Sequence, residues 1–184
     1  MSTSTKRNPL VWVEPASLFD VRQVAAAGQL FAILDACDAP LVPPKVGELG
    51  DSRGVSLYRG EAEERFADIA PYLVAVDESM LTWILETLWR EHWGVLIVSD
   101  ASLADLRTHF RKFLTVSSPA GESWYFRFYD PRVLEKYLQS CSESELRSFV
   151  GPVRSFGVTD SATRGVRWLR RSTPQEAWKL EHEI

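Results

Sequence analysis

Three short apolar runs constrain this chain more than any other feature. They are Leu30-Phe-Ala-Ile-Leu-Asp35, Tyr72-Leu-Val-Ala-Val-Asp77 and His92-Trp-Gly-Val-Leu-Ile-Val98. Each is too short for a buried helix and reads as a buried strand. Between and after them come segments of helical period. Leu81, Ile84, Leu85 and Leu88 share one helical face, with Trp83 and Trp89 widening it. Leu103, Leu106, Phe110, Phe113 and Leu114 form a second stripe, opened by Ser102 with Asp105 three residues on. Strands alternating with helices predict an α/β layer, with α+β as the variant: a mixed sheet of about five strands flanked by helices.

The most aromatic stretch, residues 123–134, is Ser-Trp-Tyr-Phe-Arg-Phe-Tyr-Asp-Pro-Arg-Val-Leu. Trp124, Phe126 and Phe128 alternate with Tyr125, Arg127 and Tyr129, which is the period of a strand. Asp130 then suits a helix N-cap and Pro131 the first helical position. Ser142 and Glu145 form another capping box, and Gly151-Pro152 stops the helix that follows. The chain beyond residue 131 therefore reads as a small, mainly helical lobe (131–184) packed on an α/β lobe (1–130). Residues 1–9 read as a loose tail, Leu10–Val13 as a short edge strand, and 39–54 as a Pro- and Gly-rich loop. Residues 153–165 read as irregular, Val166–Arg171 as a strand, and Thr173 onward as a final helix.

Composition narrows the function. The 184 residues carry a net charge of −4, against general phosphate-backbone binding. No apolar run is long enough to span a bilayer, and the N-terminus has no signal-peptide core. A soluble cytoplasmic protein without nucleic-acid or membrane partners is expected. Cys37 and Cys141 have no metal or redox spacing. Seven tryptophans is a high count, and such side chains suit interfaces when they are not core.

Four constellations are candidates for chemistry. Asp35, Asp77, Asp100 and Asp130 each end a predicted strand, where clustered carboxylates would hold a divalent ion for hydrolysis. The simpler role of aspartate there is helix capping. The histidines His92, His109 and His182 show no ligand spacing, and no GxSxG elbow or glycine-rich phosphate loop occurs. Arg164, Arg167, Arg170 and Arg171 surround Trp168, a set that grips nucleic acid or an acidic protein, or solvates an edge strand. Finally, Tyr125, Arg127 and Tyr129 share one predicted strand face. That face either docks a partner or has Arg127 paired internally with a strand-end aspartate.

Several motifs in order resemble one known domain. They are Phe31-Ala-Ile-Leu-Asp35, Tyr72-Leu-Val, Leu81-Thr-Trp-Ile-Leu85, His92-Trp-Gly94, Leu103-x-x-Leu106-Arg107-x-x-Phe110-Arg111-x-Phe113-Leu114, Phe126-Arg-Phe-Tyr-Asp-Pro-Arg-Val-Leu134 and Phe149-x-Gly151-Pro152. From Phe31 to Pro152 the chain is similar to the effector adaptor (chaperone) domain of bacterial type VI secretion systems, long catalogued as a domain of unknown function. The resemblance implies a cytoplasmic, non-enzymatic protein without cofactors. Such adaptors bind a toxin effector's N-terminal region, and often the C-terminal region of the spike protein, and load one onto the other. Ala36 departs from the glycine common after the early Leu-Asp, and the segment after Pro152 is short for the family. On this reading the partner-binding candidates are Trp93, Tyr125, Arg127, Tyr129, Arg132, Arg167 and Trp168. The alternative is a metal-dependent hydrolase built on the four aspartates.

Overall fold

The structure is a computed structural model that describes residues 10–16, 18–89, 92–117, 121–160 and 165–171. The chain runs β1 (Leu10–Ala16), α1 (Leu18–Ala26), β2 (Leu30–Asp35), α2 (Val42–Leu49), β3 (Gly54–Ser56) and α3 (Glu61–Arg65). It continues through β4 (Pro71–Ala75), α4 (Glu78–Thr87), β5 (Gly94–Ser99) and α5 (Leu103–Phe110). Then follow β6 (Thr115–Ser117), β7 (Ser123–Tyr125), α6 (Pro131–Ser140), α7 (Glu143–Val150), β8 (Val153–Asp160) and β9 (Gly165–Arg171).

Seven strands form one sheet in the order β1-β9-β8-β5-β2-β4-β3, and β6 and β7 make a separate two-stranded ribbon. The expected combination of helices with a sheet is present. The sheet has more strands than the five expected, and each of its pairings is antiparallel. Every residue of β2 and of β5 is buried. Both faces of the sheet centre are thus covered, and those strands are apolar throughout rather than alternating.

The three founding apolar runs are β2, β4 and β5 at the centre of the sheet. Gly94 shows why a glycine must open β5. Its φ is +149°, and a Cβ there would lie 2.1 Å from the carbonyl oxygen of Ile33 on β2. Only glycine permits that approach of two backbones.

Three expectations are corrected. The segment 39–54 contains α2, because Val42-Pro43-Pro44 puts its prolines in the first turn, where an N–H is not required. Residues 153–160 form β8, a strand between β5 and β9 whose Ser155, Phe156, Gly157 and Val158 are all buried. Two-sided burial erases the alternation that marks a strand in sequence. The C-terminal segment supplies α6 and α7 as expected, yet β8 and β9 belong to the main sheet, so the fold does not divide at residue 130. The tail 1–9 and the final helix expected from Thr173 lie outside the described residues.

Aromatic rings tie the helices after β5 to the sheet. Phe110 of α5, Phe149 of α7, Phe156 of β8 and Phe128 are essentially inaccessible. Phe128 stacks on Phe110 at 5.6 Å and meets Phe149 edge-on at 5.4 Å. Phe149 stacks on Phe156 at 5.7 Å, and Phe113, Phe126 and Tyr137 close the periphery. Offset and edge-to-face pairs of this kind contribute beyond the area they bury.

Candidate functional site

The block 123–134 does not continue as a strand after Tyr125. β7 ends there, Phe126 and Arg127 belong to no regular element, and a turn leads into α6. Exposure therefore also changes along the chain. Trp124 and Tyr125 stand exposed at 56% and 61%, whereas Phe128, Tyr129 and Asp130 are buried in succession. Tyr125, Arg127 and Tyr129 all reach the surroundings of Tyr58, Tyr125 by ring contact, Tyr129 by a hydrogen bond and Arg127 by its charge.

Each signature residue after Tyr125 has an internal partner. Arg127 forms an ion pair with Asp35 at the end of β2, and the Asp35 side chain is only 4% exposed. Asp35 also accepts from the Cys37 amide at 3.1 Å. The hydrogen bond to Asp35, together with its charge, holds the Arg127 guanidinium well above its ordinary pKa, against the opposing effect of burial. Tyr129 hydrogen-bonds with Tyr58, and burial drives its phenol far above the usual range. Tyr58 in turn packs on Tyr125, ring centroids 5.5 Å apart. Asp130 caps α6 through the Arg132 amide at 2.9 Å and takes two further bonds from the Arg132 guanidinium, at 3.0 and 2.6 Å. Burial raises the Asp130 pKa, and the Arg132 hydrogen bonds outweigh it, leaving the carboxyl below its ordinary value.

The four strand-end aspartates do not assemble. In an antiparallel sheet successive strands end at opposite edges. Asp35 lies beside Pro71 at the start of β4. Asp77 and Asp100 follow the far ends of β4 and β5, at the Leu30 end of β2. Asp77 caps α4 through the Met80 amide at 2.8 Å and pairs with Arg53 at 2.6 Å. The Met80 amide bond, with help from Arg53, holds the Asp77 carboxyl below its usual pKa. Asp100 accepts from Gln29 at 2.9 Å and pairs with Arg154 at 3.4 Å. Among the described residues no group of three or more His, Cys, Asp or Glu converges as metal ligands would.

The other candidates divide between core and surface. Trp168 is 3% exposed on β9 and packs over Gly157 of β8, where a Cβ would fall 2.5 Å from its ring. Trp93 is buried beside Gly94, and its backbone carbonyl accepts from the Asp35 amide at 2.9 Å. Burial removes both tryptophans, and Tyr129, from the set able to touch a partner directly. Arg132 keeps a largely exposed side chain although it is bound to Asp130. Arg167 is partly exposed on β9. The exposed remainder of the predicted set is thus Tyr125, Arg127 and Arg132, with Arg167 apart from them on the sheet.

What the sequence did not reveal is the ribbon. β6 and β7 pair Thr115 with Tyr125, Val116 with Trp124 and Ser117 with Ser123, and all six residues are exposed. Its signal was the turn-forming sequence Ser-Pro-Ala-Gly-Glu at 118–122 between two strand-like trios, which marks a hairpin. At its base, Arg107 of α5 and Arg111, in the single turn of 3-10 helix that follows α5, hold the chain beneath Tyr125. Arg111 donates to the Ser56 carbonyl at 3.0 Å and the Leu57 carbonyl at 3.0 Å, and also to the Tyr58 carbonyl. Arg107 adds a 3.3 Å bond to the Ser56 carbonyl. Along β3 and the residue on either side of it, the backbone groups that face β4 are those of Arg53, Val55 and Leu57. The Ser56 carbonyl therefore points off the sheet edge, and two guanidiniums close it against strand addition.

The family profile of a domain of unknown function (DUF4123) matches residues 30–148, from the start of β2 to near the end of α7. No curated protein matches the chain, and no solved structure does. The matched span holds β2, the Trp93-Gly94 pair, Arg107 and Arg111, and the whole 126–132 block. On that span, about two thirds of its length, the chain belongs to the DUF4123 family.

Proposed function

We propose that this chain is a cytoplasmic adaptor of a type VI secretion system. It binds the N-terminal region of a toxin effector and helps load it onto the C-terminal region of the spike protein, with no catalysis of its own. The observation that carries this reading is the contrast within one motif. The Phe126–Arg132 block, which resembles the adaptor signature, spends its polar groups on internal partners. The two aromatics immediately before it are left in solvent. A rigid seam carrying exposed tryptophan and tyrosine suits recognition of a protein surface.

Membership of the family over residues 30–148 supports the same reading through the resemblance set out above. No described helix is long and apolar enough to cross a membrane, in keeping with a role on the cytoplasmic side. The test is co-expression with the tagged N-terminal segment of the toxin encoded beside this chain's gene. A stoichiometric complex on size exclusion is expected. Failure to bind the product of any neighbouring gene refutes the proposal.

A further inference from the structure

We infer that the outer edge of β3 opens into a cleft that binds an extended peptide segment through its main chain. One residue of that segment pairs with Val55 in parallel register.

The hydrogen bonds of a strand in an antiparallel pair alternate between its two sides. The Arg53 carbonyl accepts from the Ala75 amide at 2.8 Å, and the Leu57 amide donates to the Pro71 carbonyl at 2.9 Å. Val55, opposite Leu73, faces β4 in the same way. Gly54 and Ser56 therefore turn their amides and carbonyls off the sheet edge. Two of those four groups are satisfied within the chain. The Gly54 amide donates to the Gly50 carbonyl at 3.0 Å, and the Ser56 carbonyl accepts from Arg107 and Arg111. The Gly54 carbonyl and the Ser56 amide have no hydrogen-bond partner among the described residues. The guanidiniums thus close one group of this edge and leave an acceptor and a donor side by side. Gly54 is buried and Ser56 is 6% exposed. Backbone groups so placed are nearly always paired, with protein, water or ligand.

A cleft of about 380 Å³ lies along this edge, lined by β3, by Val46 and Gly47 of α2, and by Glu63 and Arg107. Ligand sites run from about 300 to about 1,000 Å³. Gly47 keeps the cleft open. Glycine inside a helix costs stability relative to alanine, and crowding does not require it here, because a Cβ at Gly47 would meet nothing within 4 Å. The polar side chains of the lining are largely committed. Arg107 holds Glu63 at 3.3 Å, the Tyr72 hydroxyl donates to the Ala67 carbonyl at 3.0 Å, and the Ser56 hydroxyl oxygen accepts from the Tyr58 amide at 3.1 Å. Asp51, which is exposed, adds a single carboxylate. The class of ligand is therefore set by the open main-chain pair of β3.

The register follows from which groups are taken. In parallel pairing, one residue of the added segment donates to the Gly54 carbonyl and accepts from the Ser56 amide, using those two groups and no others. Antiparallel pairing would also bring a carbonyl against the Gly54 amide and an amide against the Ser56 carbonyl, and both of these are already bonded. Pairing of this kind draws its affinity from the main chain and leaves side chains to tune it. An edge used over one residue takes up a partner without offering the long open ladder that invites aggregation.

The test is an amide NMR titration of the full chain with a capped pentapeptide of alternating threonine and valine. The Ser56 amide signal is expected to move downfield and saturate, with a dissociation constant of about 1 mM or tighter. The same peptide with every amide N-methylated keeps the side chains, loses the donors and is expected to leave Ser56 unmoved. Gly47→Leu fills the cleft from a position with room for a side chain, so it should weaken binding roughly tenfold or more with no loss of melting temperature. No movement of Ser56, equal binding of the N-methylated peptide, or parent-like binding by Gly47→Leu overturns the inference. So does a Ser56 signal that moves with protein concentration alone, which makes a second copy the occupant. A chain that captures a neighbouring toxin but shows no Ser56 shift with the peptide keeps the adaptor reading and loses the cleft. A Ser56 shift with no neighbouring toxin captured does the reverse.

Discussion

Replacing Arg127 by methionine keeps the aliphatic stem and deletes the guanidinium. Asp35 then keeps the Cys37 amide at 3.1 Å but loses its ion-pair partner, in a position where its side chain is 4% exposed. Breaking a fully buried pair costs about 3–5 kcal/mol. Arg127 itself is 45% exposed, so water screens part of the attraction in the parent and relieves part of the loss in the variant. A cost of about 2 kcal/mol follows, within the range for a buried polar group left short of a partner. For a chain of this length that lowers the melting temperature by about 4–8 °C. The assay is thermal unfolding of Arg127→Met, Asp35→Asn and the double variant. Asp35→Asn in the Arg127→Met background is expected to recover stability, because the orphaned charge is gone, and the cycle should show coupling of about 1 kcal/mol or more. Strictly additive losses, or an Arg127→Met melting temperature within about 1 °C of the parent, would refute the argument that this pair is a structural clamp.

Four further outcomes are expected. His109 is buried against Phe110 and Phe113, with Nε2 donating to the Phe149 carbonyl at 2.7 Å, and burial lowers its pKa. The unfolded chain therefore binds the proton more readily. Stability is full above the unfolded value of about 6.5 and falls as pH drops below it, by at most about 1.4 kcal/mol per pH unit; urea titrations between pH 7.5 and 5.5 should show this fall, lessened in His109→Gln. Gly157→Ala places a methyl 2.5 Å from the Trp168 ring and 2.8 Å from Val166, and should cost about 1–3 kcal/mol by chemical denaturation. Trp168→Ala empties a site that is 3% exposed and should cost about 3–5 kcal/mol, whereas Trp124→Ala should leave the melting temperature unchanged. Ser142→Ala removes the side-chain half of a complete capping box and should cost about 1 kcal/mol in the same measurement.

Much of the fold was legible where one physical signal acted alone. β2, β4 and β5 are apolar and short, and α4 and α5 carry clean helical stripes with Asp77 and Ser102 as their caps. Capping logic placed Asp130 and Pro131 correctly at the start of α6. The internal pairing of Arg127 with a strand-end aspartate was one of two readings the residues allowed, and Asp35 is that partner. Legibility failed where two signals overlapped. The alternation through 124–129 is real in sequence, but Phe128 and Tyr129 are both buried in a turn, where Phe110, Phe126 and Phe149 surround Phe128 and Tyr58 bonds Tyr129. Strand direction left no trace in residue order, so the four aspartates looked gathered when the antiparallel sheet puts Asp35 at one end and Asp77 and Asp100 at the other. Trp93 and Trp168 read as interface candidates because tryptophan suits both core and surface, and only burial separates the two.

The pairing of Leu10 with Arg171 has a mechanical consequence. These residues are cross-strand neighbours on β1 and β9, and β1 is the outermost strand of the sheet. Tension applied between them acts across the ladder rather than along it. The pairs Leu10–Arg171, Val11–Arg170 and Trp12–Leu169 would then separate in succession, as in unzipping, instead of resisting together in shear. Handles at those two positions would peel β1 away at low force. The central strands, with Gly94 pressed onto β2, would be reached last.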